Sequence, residues 1–411
     1  MQMTLPEERE FTLAEAERRA LQDIGALGLT PRCQSLGTGP CAAWTELHDA
    51  HGQLVTGGWG KGEMQAARTG ALYEALEHLL TRRHAADQAT VLAVDDLIAR
   101  MPPEAIACLP GALLADQVEE TIACRRYENL HDGPDFDYPL ALSAPDYVDA
   151  PLRDDSFDYT GLRRYASNSG TAIGASVDEA LLHALNECIE RDAMSLFLLR
   201  HFFHARQAPL HVVSCDGLPA DTADLYRRVS HLVDADITLL DISNGPGVTT
   251  CLAVSHRLYP HTRPYGAGAS LNPAHAARRA LSELVQSHLG LSCDADALLD
   301  ARKEAPDLWA RLQPWPRLQA CLAMDVEQRL ATQLLVPATL AEVPAGDVHS
   351  QVRQIAAVLG AHGLQAGFAV VHQTALGTAL VNVVVPTFER FHLVVIGNVV
   401  VPGQRGQALV P

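Results

Sequence analysis

The glutamates of this chain recur at spacings that a helix would turn into a site. Between Ser176 and Ala193, Glu179, His183, Glu187 and Glu190 follow one another at intervals of four, four and three residues. At 3.6 residues per turn they share one face. Arg191 flanks that stripe, while Ala180, Leu181, Ala184, Leu185, Cys188 and Ile189 cover the other sides. A solvated face would interleave lysines with the glutamates as i,i+4 pairs, and this stripe holds none. Glu179 taken alone has a plainer reading, since Ser176-x-x-Glu179 is a capping box. The whole stripe is harder to dismiss.

Two further stretches repeat the pattern. Glu74 and Glu77 are helix neighbours within ALYEALEHLL, and Arg279, Glu283 and Gln286 share a face within RALSELVQSH. Acids presented by three apolar helices repel one another, so they converge only around cations. Hard carboxylate oxygens suit Mg²⁺, whereas Zn²⁺ prefers His and Cys. Zinc spacings are missing, and His201-x-x-His204 reads as the end of an amphipathic helix. Neither a Walker P-loop nor a dinucleotide fingerprint occurs, because the glycines of GWGKG and GAGAS fit neither pattern.

The elements that must position these residues are legible in part. Thr12-x-x-Glu15 caps a helix from Leu13 to about Gly25. Residues 42–47 and 54–59 flank Asp49-Ala50-His51-Gly52 as a β-hairpin. The Gly-rich GGWGKG reads as a corner opening a helix over 63–84. The acidic stretch 131–159 is an irregular excursion or a set of short strands. The strongest helix spans 176–200, followed by strands in PLHVVS, ITLLDI and VTTCLAVSH around a helix near 220–233. Asn272-Pro273 opens another helix to about Leu291, and 293–343 reads as a helical connection broken by Pro314 and Pro316. A helix over 348–362 precedes strands in GFAVVH, TALVNVVVP and FHLVVIGNVVV. The expected product is an α/β (α+β) fold with mixed sheets flanked by helices.

Bulk properties bound the function. With 411 residues, 48% of them hydrophobic, the chain buries a large core without disulfides or a structural metal. Its nine cysteines are odd in number and never spaced C-x-x-C, which reads as reduced thiols. The acidic start MQMTLPEEREF lacks the basic segment of a signal peptide, and no apolar run reaches the ~18 residues of a membrane span. A cytoplasmic location is therefore expected, without membrane contact. A formal charge of −18 disfavours nucleic acid, whose phosphates are bound through Lys and Arg. The same charge means that a polyanion such as ATP could approach these carboxylates only with divalent cations between them.

At these residues the chain resembles the YcaO family. The resemblance rests on Gly60-Lys61-Gly62 ahead of Glu74 and Glu77, then SNSGTAIGASVDEALLHALNECIERDA, then RALSELVQSH, and it extends over roughly 55–400. It implies an N-terminal helix and hairpin segment over 1–54, a catalytic domain over 55–400 enclosing a non-P-loop ATP site, and a tail over 401–411. Carried over position by position, Glu74, Glu77, Glu187 and Glu190 would be the main Mg²⁺ ligands, with Glu179 and Glu283 completing a second ion. Arg191, Arg279 and Gln286 would meet phosphate, Ser167 and Asn168 would border the nucleotide, and Lys61 would join them. Glu187, Glu190 and Arg191 would be the catalytic group.

The chemistry the resemblance implies is activation of peptide backbone amides with ATP. A nucleophile adds to the carbonyl, whose oxygen is phosphorylated and leaves as phosphate. A Cys, Ser or Thr side chain of a ribosomal precursor peptide would give a thiazoline or oxazoline, while sulfide would give a thioamide and an amine an amidine. A leader-peptide-binding partner, E1-like or ThiF-like, is implied, with room for a flavin dehydrogenase and a homodimer. Two departures stand out. The family serine ahead of the paired glutamates is Gly70 here, and the alternating proline tail of azoline-forming members is reduced to Pro402 and Pro411, so azoline formation is only modestly favoured. A third reading is a non-catalytic regulator that keeps the fold. The intact glutamates oppose it, since burying unpaired carboxylates is costly.

Overall fold

A computed structural model describes residues 5–131, 133–245, 247–257, 263–293, 307–344 and 346–409. Among them three sheets form. The first is antiparallel: β1 (Thr30–Leu36), β2 (Cys41–His48) and β3 (Leu54–Gly62). The second contains β8 (Leu210–Val213), β9 (Ile237–Asp241), β10 (Thr249–Ser255), β11 (Tyr265–Ser270) and β12 (Leu335–Ala338) in the order β11-β10-β9-β8-β12. It is antiparallel except where β12 runs parallel to β8. The third is antiparallel in the order β4-β5-β13-β14-β7, with β6 beside β5. Its strands are β4 (Thr90–Ala93), β5 (Thr121–Asn129), β6 (Phe136–Pro139), β7 (Thr171–Gly174), β13 (Gly367–Gln373) and β14 (Ala379–Val384).

The helices cover these sheets as the apolar periodicity requires. They are α1 (Leu13–Ala26), α2 (Met64–Arg83), α3 (Val177–Leu198), α4 (Ala220–Val233), α5 (Pro273–Cys293) and α6 (Val348–Ala361). Helix α1 starts where Thr12 accepts the Glu15 N–H and buries Ala20 and Ile24 against Leu72, Leu76 and Leu79 of α2. Helix α3 starts at Ser176, which accepts the Glu179 N–H. It packs Ala180, Leu181 and Ala184 between Val381 and Val383 of β14 and Ile355 and Leu359 of α6. Helix α5 lays Ala276, Ala277, Ala280 and Leu284 against Leu239, Cys251 and Ala253.

Glycines set how closely the helices approach. A Cβ on Gly60 would overlap the Ala67 carbonyl, and one on Gly58 the Ala75 amide, so α2 lies flush on β3. A Cβ on Gly266 or Gly268 would likewise strike the α5 backbone at Ala280 and Ala276. GGWGKG is thus the end of strand β3 rather than a corner, and GAGAS is strand β11. These glycines serve packing, since a side chain there would hold the helix off.

One more segment departs from expectation. FHLVVIGNVVV is not a strand: Phe391–Ile396 forms a 3₁₀ turn that Gly397 ends at φ 84°. Burial drives that segment, with Phe391, Leu393 and Val394 inserted in the core, and it has no ladder partner. The segment between α2 and the excursion holds β4 and β5, and β5 carries the buried Tyr127 into the largest core cluster. The β2–β3 ladder crosses residues 54 and 55, so the N-terminal segment and the remainder share one sheet. The connection expected over 293–343 lies partly outside the described residues; its described part contains helices Pro316–Ala323 and Val326–Thr332 and strand β12. Of the tail, Gln404–Gln407 forms a helical turn, and Pro411 lies outside the described residues. Eight cysteines among the described residues are free, five of them buried. No helix of the described residues is long and apolar enough to cross a membrane.

Candidate functional site

Helices α2, α3 and α5 bring their acids to one place. Burial pushes the Glu77 carboxyl well above the usual range, and the like charges of Glu187 and Glu74 add to the effect. Burial also raises Glu187, although Arg191 opposes it and Glu283 reinforces it. For Glu190, burial and then Glu283 move the carboxyl to about 7. Glu74 is raised by burial against the pull of His78 and Lys61. Charges act on one another in this way only over a short range, so the carboxylates of Glu74, Glu77, Glu187, Glu190 and Glu283 lie within electrostatic reach of one another.

Cations of the chain balance part of this charge. Lys61 Nζ lies 2.5 Å from Glu283 Oε2. Burial alone would raise Glu283, yet Lys61 and Arg191 hold its carboxyl below the usual range. Arg191 Nε stands 3.7 Å from Glu187 Oε1. Burial works against the Arg191 charge, but Glu190, Glu187 and Glu283 together raise its proton affinity. The Nε atoms of both Arg191 and Arg279 are buried with no hydrogen-bond partner. Buried donors left without a well-aligned partner are costly, and Arg191 Nε has only its longer approach to Glu187, so both arginines retain capacity for a further acceptor.

Backbone amides fix the acids in place. Ile173 N–H of β7 donates to Glu77 Oε2 at 3.0 Å, while the nearby amides of Gly170 and Trp59 draw the carboxyls of Glu187 and Glu74 back toward the charged form. Gly170 itself sits at φ +83°, where a Cβ would strike Val383 O and Cys188 Sγ. The loop holding Ser167 and Asn168 thereby packs against α3 at Cys188. Ser167 is buried and bonded to Ser169 Oγ at 2.7 Å, while Asn168 is exposed. Gln286 is half-buried one turn beyond Glu283.

Glu179 is placed differently. It precedes Glu187 by two turns, about 12 Å along the axis, and its oxygens are engaged by Arg9 Nε at 3.4 Å and the Glu10 N–H at 3.2 Å. It is buried in a pairing with the N-terminal segment, apart from the other five. That segment carries the residues sequence reasoning missed: Glu7 and Glu8, which reach the start of α5 and Arg279. No periodicity marks them, so nothing in the sequence announced their position. His201 is a satisfied core histidine bonded to Gln333 at 2.9 Å, in accord with its plain reading.

The donor set fits Mg²⁺ carried by a nucleotide. Among the described residues no three His, Cys, Asp or Glu side chains form a ready-made metal cage. Mg²⁺ is commonly held through one or two carboxylates plus substrate phosphates, and the unpartnered arginine Nε atoms suit phosphate oxygens. An arrangement of this kind suits a divalent-cation-dependent enzyme acting on a phosphate-bearing ligand.

The chain belongs to the YcaO family, whose model, described as "YcaO cyclodehydratase, ATP-ad Mg2+-binding", matches residues 59–389. ATP and Mg²⁺ are thus the cofactors of its family. An uncharacterized protein of Methanothermobacter thermautotrophicus is 31% identical over 233 residues, 56% of each chain. Among solved structures, a heterocyclase in complex with substrate and cofactor matches with TM-score 0.66 at 19% identity, over 94% of this chain and 54% of that one. YcaO from Methanopyrus kandleri, bound with AMPPCP and Mg²⁺, gives 0.60 at 16% identity over 95% of both chains. The Escherichia coli microcin synthetase McbBCD complex with pro-MccB17 gives 0.58 at 15% identity, over 87% of this chain and 88% of that one. The chain spans about half the length of the archaeal relative and of the first heterocyclase. These likenesses bear out the mixed α/β fold read from the sequence.

Proposed function

We propose that this chain activates backbone amides of a ribosomally made precursor peptide with ATP and Mg²⁺, cyclising Cys, Ser or Thr residues to thiazolines or oxazolines. The observation that supports the reading is that Glu74, Glu77, Glu187, Glu190 and Glu283, on three helices, lie within electrostatic reach of one another, several of them held above the ordinary carboxylate range. Glu74, Glu77, Glu187 and Glu190 would hold Mg²⁺, with Glu283 beside a second ion. Glu179 would contribute through its neighbours, given its pairing with Arg9. Arg191, Arg279, Gln286 and Lys61 would receive phosphate oxygens, and Ser167 and Asn168 would line the nucleotide's edge.

When bound, ATP supplies the phosphoryl group that makes the amide oxygen a leaving group. The residues bind and orient the triphosphate, and their charges set its position. Lys61 and Arg191 offset the surplus of acids that would otherwise repel it. The family relation and the heterocyclase folds support peptide cyclodehydration. A leader-peptide-binding partner would deliver the substrate, as the McbBCD structure contains its pro-MccB17.

The test incubates the purified protein, its partner and a candidate precursor peptide with ATP and Mg²⁺, followed by mass spectrometry and phosphate release. Loss of one water per modified residue, matched by phosphate, is expected. Replacement of oxygen by sulfur or nitrogen would assign the thioamide or amidine reaction instead. Failure to bind nucleotide in the presence of Mg²⁺ would leave a non-catalytic regulator.

A further inference from the structure

Four donors from α3, α5 and the end of β11 surround one carboxylate that comes from far away in sequence. Glu8 is 4% exposed. Its Oε1 accepts from Ser270 Oγ at 2.6 Å and from Asn186 Nδ2 at 3.3 Å. Its Oε2 lies 3.5 Å from both Arg279 Nη1 and His275 Nε2. Glu7 extends the grip outward: His275 Nδ1 lies 2.6 Å and Arg278 Nη2 2.5 Å from its Oε2, and Asn272 Nδ2 lies 2.6 Å from its Oε1. Asn186 immediately precedes Glu187, and Arg279 stands one turn before Glu283. Glu8 therefore joins the two helices that carry most of the carboxylate pocket.

The backbone supports a fixed role. Glu8 adopts φ +58°, a left-handed conformation that non-glycine residues hold only where the surroundings over-determine it. The partner set satisfies both oxygens and leaves Arg279 Nε buried and unpaired. Glu8 thus grips one end of that guanidinium while the other end waits for an acceptor. An Arg279 without this anchor would be free to fold back on Glu190 or Glu283, whose charges it already feels.

We propose that Glu8 is a positioning residue: from the N-terminal arm, ahead of residues 59–389 that the family model matches, it holds Arg279 ready for a nucleotide phosphate. This rests on the reading of Arg279 as a phosphate-binding residue, and the experiment separates the two. In the full chain, the affinity for the non-hydrolysable analogue AMPPCP with Mg²⁺ is measured for the parent, Glu8→Ala, Arg279→Ala and the double variant, alongside thermal unfolding. Each single variant should weaken binding by about tenfold or more, the scale of a lost charge-assisted hydrogen bond. The double variant should bind no worse than Arg279→Ala, because a positioning residue has no effect once its target is gone. Should Glu8→Ala not fold, Glu8→Gln keeps the volume and gives the same comparison. Unchanged affinity in the Glu8 variants, or additive losses in the double variant, would overturn the proposal. Tighter binding would also overturn it, showing that Glu8 occupies the phosphate's place. If Arg279→Ala binds as the parent does, the reading of the site fails first; a weakened Arg279→Ala beside a normal Glu8→Ala removes only the inference.

Discussion

Glu190→Gln should have opposite effects on the free and the liganded protein, and this opposition follows from burial. Glu190 is 3% exposed, and burial together with Glu283 moves its carboxyl from 4.5 to about 7. Below pH 4.5 the group is protonated in both folded and unfolded chains and contributes nothing. Between pH 4.5 and 7 the unfolded chain releases a proton that the folded one keeps, so stability falls as pH rises. Above pH 7 both states are ionised and the full penalty is present. At about 1.36 kcal/mol per pKa step this penalty is roughly 3 kcal/mol. Glutamine has nearly the same shape and no charge, so the variant should melt higher than the parent at pH 8 without ligand. The advantage should shrink to about 1 kcal/mol or less at pH 5. With Mg²⁺ and AMPPCP the order should reverse, because the parent's carboxylate then meets a cation and the amide does not. Thermal unfolding at both pH values, with and without ligand, reads all four terms. A variant that is less stable than the parent at pH 8 and still gains the parent's full ligand-induced rise would refute the reasoning.

Lys61→Ala removes the partner that holds Glu283 below the ordinary range; the carboxyl should rise, and Mg²⁺-dependent nucleotide binding, followed by titration calorimetry from pH 5 to 9, should shift to higher pH. Gly60→Ala places a Cβ against the Ala67 carbonyl and should cost about 1–3 kcal/mol in denaturant unfolding, whereas Gly25→Ala, in α1 with open space around its Cβ, should stabilise by about 0.4–1 kcal/mol. Glu77→Ala leaves the Ile173 amide without its acceptor and should be less stable than Glu77→Gln by about 1–3 kcal/mol in the same assay, while both weaken Mg²⁺-nucleotide binding.

The helices that carry the site were readable because caps and periodicity act locally. Thr12, Ser176 and Asn272-Pro273 mark their helix starts, and the glutamate stripes of α2, α3 and α5 lie where the spacing places them. The strands were less legible where glycine dominates. GWGKG and GAGAS lack the side chains by which a strand is recognised, since their positions face helix backbone. FHLVVIGNVVV has strand composition yet forms a buried 3₁₀ turn, because tertiary burial can override β-propensity. Glu8 could not be found at all: its role comes from contacts to Ser270 and Arg279, more than 260 residues distant along the chain, and no local pattern encodes such a contact. Glu179 shared the stripe of Glu187 but met Arg9 instead, since residues two turns apart on one face need not face the same neighbour.

The arrangement also explains how so many acids are held near one another. A glutamate on a helix ordinarily swings toward water when its neighbours repel it. Here Glu77 is held by the Ile173 N–H, and the amides of Trp59 and Gly170 favour the charged forms of Glu74 and Glu187. Those amides belong to strands or loops that cannot move independently: β3 is pressed on α2 at Gly58 and Gly60, and Gly170 is wedged between Val383 and Cys188. The glycines that obscured the strands in the sequence are thus part of what fixes the acids. Close helix-to-strand packing places these amides beside the carboxylates, and a divalent cation would relieve the mutual repulsion of the group. Preorganisation of this kind means that a bound cation need not gather the acids from solvent, so its favourable interaction with them goes into affinity and into aligning the phosphates.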